Sequence, residues 1–253
     1  MADATEFEGK VAMVTGAGQG MGRAVSERLA AGGARLVVND LNASSAERTA
    51  SSLVADGHEA FAAPGDVASS ADVRRMVEGA LERYGGIHIL VNNAGILRRT
   101  GIMDLEEDEW DLVLNVNLKG TYLCTRAVLP TMRGLGWGRI VNFSSTAGRS
   151  VSTLGGPHYT TAKAAVLGFT RAVAKEMAPD GITVNAVCPG LVNTEMVQEV
   201  ITDAEAQAYA ESFPISRLSE PSEVAELVAF LASDRAAYIT GASLDINGGD
   251  LMM

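Results

Sequence analysis

Tyr159 and Lys163 stand at i and i+4 in a run that opens at Pro157. On a helix the two side chains share one face. A phenol ordinarily loses its proton near pH ~10. A fixed ammonium within several ångströms favours the phenolate and draws that value down. Such a pair makes a general acid/base usable nearer neutral pH. Just upstream, an apolar run through Phe143 ends in two hydroxyls, Ser144 and Ser145. A hydroxyl there would hold a substrate oxygen beside the phenol.

The elements that must position this pair can be read from apolar runs. Val11–Thr15, Arg35–Asn39, Glu59–Ala63, Ile87–Asn92, Arg139–Phe143, Thr183–Cys188 and Ser243–Ile246 predict strands. Several are apolar throughout, as strands buried on both faces are. Longer helical patterns lie between them. Ser44, Ser69 and Thr202, each followed three residues on by an acid, predict helix caps, and Pro157 and Pro221 fit first helical turns. The alternation predicts an α/β fold: a doubly wound, seven-stranded parallel sheet with helices on both faces. No linker or charge run divides the chain, so residues 1–253 read as one domain, with a short lid over residues 194–216.

The first strand runs into a glycine-rich turn, Gly16, Gly18, Gly20 and Gly22, and then an Ala/Leu-rich helix. Glycines let backbone approach a pyrophosphate at the positive end of a helix. The spacing departs from G-x-G-x-x-G, because the third position is Met21. About twenty residues further on, the second strand ends at Asp40, where a carboxylate binds both ribose hydroxyls of NAD and repels the 2′-phosphate of NADP. Neither Gln19 nor Asn39 offers an offsetting positive charge.

Composition removes other classes. The net charge of −11 argues against a nucleic-acid partner, and no apolar run is long enough for a membrane helix. The acidic N-terminus lacks signal-peptide features. Cys124 and Cys188 are spaced for neither a metal nor a disulfide framework and read as buried thiols in a reducing cytoplasm. His58 and His88 belong to no metal-ligand cluster.

Taken in order, Gly16–Gly22, Asn92–Gly95, Asn117, Ser145, Tyr159, Lys163, Pro189–Gly190, Tyr238–Gly241 and Asn247–Gly249 resemble the short-chain dehydrogenase/reductase family from roughly Glu8 to Gly249. The resemblance implies an oxidoreductase that transfers hydride between a secondary alcohol or its ketone and NAD(H). The alternatives are a 3-oxoacyl thioester reductase and an NAD-binding regulatory protein without turnover. It implies that Gly16, Gln19, Gly20, Met21 and Gly22 form the pyrophosphate turn, that Asp66 and Val67 hold the adenine, and that Asn92, Asn93, Ala94 and Gly95 lie under the adenosine ribose. Tyr159 is then the acid/base and Lys163 the group that holds the nicotinamide ribose and lowers the tyrosine's pKa. Ser145, which precedes Thr146-Ala147-Gly148, orients substrate, and Asn117 supports a water relay to Lys163. Pro189, Gly190, Leu191, Val192 and Thr194 pack beside the nicotinamide. Family members are usually tetramers, associating through the helices between strands four, five and six, and the apolar end Leu251–Met253 suggests a further subunit contact. For the substrate, Met196, Val197, Val200 and Ile201 predict an apolar lid. Arg98, Arg99, Arg149 and His158 are candidates to meet an anionic group, with a neutral alcohol the favoured reading.

Overall fold

Burial on both faces turns the apolar runs into strands. A computed structural model describes residues 5–253. In it β1 (Val11–Val14), β2 (Arg35–Val38), β3 (Ala60–Ala62), β4 (Ile89–Asn92), β5 (Gly138–Phe143), β6 (Ile182–Pro189) and β7 (Ser243–Ile246) form one seven-stranded sheet in the order β3-β2-β1-β4-β5-β6-β7. Every pairing is parallel. β1, β4, β5 and β6 are buried at every position, so their sequences carry no polar alternation. The expected sheet is present, with most boundaries within two residues of those expected.

Helices cover the two faces. On one, α1 (Gly20–Ala31) and α9 (Pro221–Ala232) bring Val25, Leu29, Val224 and Val228 against Val14, Leu36, Ile89 and Val141. On the other, α3 (Ser70–Tyr84), α5 (Gly120–Leu135) and α6 (Pro157–Met177) bring Met76, Val128, Met132 and Met177 against Met13, Leu90 and Ile140. The remaining helices are α2 (Ala43–Ala55), α4 (Glu107–Leu114), α7 (Glu195–Gln198) and α8 (Asp203–Ser212).

Caps fix where helices begin. Thr202 and Glu205 make a reciprocal box, with Thr202 N donating to Glu205 Oε2 at 2.8 Å and Glu205 N to Thr202 Oγ1 at 3.2 Å. Ser69 caps α3 through Asp72 N, while the Asp72 carboxylate accepts from Asp66 N instead. Ser44 does not cap α2. Asp40 Oδ1 accepts from Asn42 N and turns the chain earlier, so Asn42 takes the cap and Ser44 lies inside the helix.

Strand order reverses between β1 and β4: the chain winds from β1 outward to β3, then returns to β4 on the other side of β1. Crevices for ligands open at the carboxyl ends of strands at such a point. A chain of buried polar side chains crosses the sheet beside it. Asn92 Nδ2 of β4 donates to Thr125 Oγ1 of α5 (3.0 Å) and to Asn142 Oδ1 of β5 (2.8 Å), and Asn142 Nδ2 donates to Thr170 Oγ1 of α6 (2.9 Å). Asn92 thus binds strands together; it does not face the cleft expected for the ribose loop.

Asn142→Ala would break two of these bonds and leave buried partners unmet, each costing about 1–3 kcal/mol. Unfolding in urea should show a loss of about 2–4 kcal/mol. A loss near zero would show that the chain of amides does not hold α6 to the sheet.

Candidate active site

The turn after β1 is where backbone meets backbone. Gly16 has φ +62, and a Cβ there would stand 2.8 Å from the Cα of Ala94, so only glycine lets the two loops touch. Asn93 locks the contact, donating from Nδ2 to the carbonyls of Thr15 and Gly16, both at 2.9 Å. Asp40 Oδ2 accepts from Gly18 N at 3.0 Å. The result is a cavity of about 550 Å³ running from Asp40, Leu41, Asp66 and Val67 past Gly16, Gln19, Gly20 and Met21 to Asn93, Ala94, Gly95, Asn117, Tyr159, Lys163 and Thr194. Gly22 lies behind this wall, packed on the Gly16 carbonyl, and Pro189 is buried at the end of β6. Gly190, Val192 and Ser145 line a second, adjoining cavity.

The depth, the glycine-bared turn and the buried, unpartnered Asn117 Oδ1 inside the cavity suit an elongated ligand with polar groups along its length. A dinucleotide fits that description. Lys163 is the one basic residue among the described residues lining it, against Asp40, Asp66 and Glu195.

Three bonds press the N-terminal half of α6 onto the end of β5. Lys163 Nζ donates to Phe143 O at 2.9 Å, Ser144 Oγ donates to Lys163 O at 2.7 Å, and Asn142 holds Thr170 one face further along. Ser144 is thereby committed to the helix. Ser145 turns the other way: it caps a short turn through Ala147 N at 3.1 Å and reaches the Tyr159 hydroxyl. Lys163 Nζ lies 5.7 Å from the Tyr159 ring centroid. Asn117 sits in a π-helical turn, Asn115–Lys119, between α4 and α5, where its Nδ2 donates to Ile96 O and Val113 O.

The electrostatics differ from the expectation in one respect. Burial pushes Tyr159 above its usual value, with the Ser145 hydrogen bond pulling back, and Lys163 is not among the causes. Burial also lowers Lys163 to about 8. An ammonium held this far from water is itself destabilised and carries less charge to lend the phenol.

The second cavity, of about 110 Å³, begins at Ser145 and Tyr159 and is walled mainly by apolar side chains, among them Leu97, Leu154, Met196, Val200 and Phe213. The expected apolar lid is therefore over the catalytic groups, except that Ile201 lines neither cavity. The candidate bases are elsewhere. Arg149 turns onto β7, bonding Ser243 O and pairing with Asp245 Oδ1 at 2.7 Å. Arg98 bonds the carbonyl of Leu97, and Arg99 bonds Val200 O at 3.0 Å. His158 is fully buried, its Nε2 3.1 Å from Glu109 Oε1. Sequence reading missed Leu41, Ser45, Ile96, Val116, Glu195, Tyr209 and Asp250 as wall residues. Only Leu41 carried a signal, an apolar residue next to the strand-end acid that stays 74% exposed.

Comparison with known proteins agrees with this layout. A family model described as enoyl-(acyl carrier protein) reductase matches residues 16–250. The 3-oxoacyl-[acyl-carrier-protein] reductase of Synechocystis sp. is 40% identical, over 98% of this chain and 99% of the relative. The same-named enzyme FabG of Pseudomonas aeruginosa is 42% identical, over 97% and 99%. Among solved structures, a 3-oxoacyl-[acyl-carrier protein] reductase from Brucella melitensis superposes with TM-score 0.92 at 32% identity, covering 99% of this chain and 94% of that one. A short-chain type dehydrogenase/reductase from Mycobacterium marinum gives TM-score 0.92 at 33% identity, covering 98% and 97%.

The lowered Lys163 has a measurable signature. In the native state it releases its proton near pH 8, whereas the unfolded side chain holds it to 10.5. Above pH 8 the unfolded chain therefore binds more protons, and stability rises with pH. Unfolding free energy of the ligand-free protein should climb between pH 8 and 10, and Lys163→Met should flatten the climb. An identical slope in the variant would place the Lys163 ammonium in contact with water.

Proposed function

Because the chain belongs to the short-chain dehydrogenase/reductase family, we propose that it is an NAD-dependent dehydrogenase of a secondary alcohol, or ketoreductase in reverse, with binding and catalysis in one domain. That it is a hydride-transferring oxidoreductase of CH–OH or keto groups follows from its relatives. The preference for NAD rests on Asp40: its carboxylate lines the cavity, fixed by Gly18 N and Asn42 N, and no arginine among the described lining residues offsets it. Nicotinamide, when bound, accepts or supplies the hydride.

The protein's own part is one proton and one geometry. Tyr159 Oη takes the hydroxyl proton in oxidation and returns it in reduction. Ser145 Oγ holds the reacting oxygen against it. Lys163 and Asn117 pass the proton inward from Tyr159, and Lys163 holds the ribose. Gly16, Gln19, Gly20, Met21 and Gly22 shape the pyrophosphate turn; Asp66 and Val67 hold the adenine; Asn93, Ala94 and Gly95 lie under its ribose. Pro189, Gly190, Val192 and Thr194 flank the nicotinamide. The apolar wall around Ser145 excludes water and leaves these hydroxyls as the main polar contacts.

A second reading has support in the names of the relatives: reduction of a 3-oxoacyl thioester with NADPH. Asp40 disfavours its cofactor. Comparing kcat/KM for acetoacetyl-CoA and for a plain secondary alcohol, each with both cofactors, separates the two.

We place the enzyme as a homotetramer in a reducing cytoplasm. Tyr122 on α5 is 42% exposed and edge-on to Phe169 of α6, an apolar pair suited to a subunit contact. Met252 and Met253 are exposed at the end of the chain. Both cysteines are free and buried. No helix among the described residues is long and apolar enough to cross a membrane. A monomer in sedimentation at micromolar concentration would remove the tetramer.

Two substitutions test the chemistry. Tyr159→Phe should lower kcat by about 10²-fold or more while NAD binding persists; near-normal turnover would refute the role. NAD should surpass NADP in kcat/KM, and Asp40→Ser should narrow the gap. Equal use of NADP by the unaltered enzyme would overturn the cofactor assignment.

A further inference from the structure

The cavity beside Ser145 and Tyr159 is mainly apolar, yet one residue with a formal charge reaches its wall. That residue is Asp250. A turn built for the purpose carries it there from the end of β7. Gly248 and Gly249 have φ of +62 and +85 and reverse the chain. Asn247 brackets the reversal: its Oδ1 accepts from Gly249 N (3.0 Å), its carbonyl from Asp250 N (3.1 Å), and its Nδ2 donates to Leu251 O (2.9 Å). A further bond, Ile215 N to Gly248 O at 2.9 Å, ties the turn to the end of the lid. A Cβ on Gly249 would stand 2.9 Å from Pro214 Cγ, so the turn also packs tightly on the lid. Asp250 is thus held in place, not left on a loose tail. Its carboxylate pairs with no base among the described residues.

The bases that would welcome a substrate anion are committed elsewhere, Arg149 to β7 and Arg99 to the Val200 carbonyl. The formal charge along this wall is therefore negative only. A carboxylate accepts hydrogen bonds and donates none. A hydroxyl or ammonium brought to it gains a charge-assisted bond, and a second carboxylate is repelled. Resting on the alcohol dehydrogenase reading above, we infer that Asp250 is a specificity determinant. It selects secondary alcohols, and the corresponding ketones, whose far end carries a hydrogen-bond donor, and it rejects those ending in a carboxylate. The substrate class is then a diol, polyol or amino alcohol.

The test uses matched secondary alcohols that differ only at the far end, as methyl, hydroxymethyl, aminomethyl or carboxylate, with the whole enzyme and NAD. In the unaltered enzyme at least one donor-ended probe should exceed the methyl-ended one in kcat/KM by about tenfold, the scale of a hydrogen bond to a charged group. The carboxylate should be the poorest. Whichever donor gains more identifies a hydroxyl or an ammonium as the natural group. Asp250→Ala and Asp250→Asn should compress these ratios toward one. Calorimetric binding of the same probes to NAD-loaded Tyr159→Phe should show the same ranking without turnover. Turnover indifferent to the far end, a favoured carboxylate, or a donor preference that survives in Asp250→Ala overturns the assignment and leaves the dehydrogenase reading standing. No turnover of any probe, with acetoacetyl-CoA reduced instead, overturns both.

Discussion

The catalytic helix is held to the sheet by hydrogen bonds inside a core that offers few. Both faces of β4 and β5 are covered, so a polar side chain there must find its partner within the protein. Asn92, Asn142, Thr125 and Thr170 find one another across two strands and two helices. Apolar packing alone would let α6 slide by fractions of an ångström, because dispersion has little direction. The amides fix its rotation. Lys163 and Ser144 then fix its height against the end of β5. The side chains proposed for catalysis stand on the part of the molecule with the fewest ways to move.

The cleft depends on a second closeness, that of the loops after β1 and β4. Gly16 touches Ala94, and the Asn93 amide closes the joint from behind. Asp40 has two tasks in the same place. It already holds the Gly18 and Asn42 amides, so it shapes the cavity before any ligand arrives. A carboxylate so engaged is oriented in advance, and binding spends little on ordering it.

Much of this was legible in the sequence. Continuous apolar runs identified buried parallel strands, because burial on both faces suppresses polar alternation. The order of Gly16, Asp40, Ser145, Tyr159 and Lys163 along the chain was enough to anticipate one cleft containing them, since strand ends converge at a switch point. What escaped was set by contacts distant in sequence. Nothing near Arg149 announces that Asp245 will take it. Nothing near Asp250 says that a turn will bring it back over Leu154 and Tyr159. The Ser44 cap failed because Asp40, an acid reserved for another role, moved the start of the helix. The effect of Lys163 on Tyr159 was read from spacing alone, and spacing carries no information on how much water each group loses.

The π turn at Asn115–Lys119 also sets a limit on how this chain can vary in length. One wide turn accommodates one residue more than an α-helix would over the same rise. Deleting that residue would restore regular hydrogen bonding locally, yet rotate everything after it by about 100°. Cys124, Val128 and Met132, now against the sheet, would swing toward solvent, and Asn117 would leave Ile96. The bulge is therefore a phase correction between two amphipathic stripes. It makes the stretch from α4 to α5 intolerant of a single-residue gap, although each helix taken alone would tolerate one.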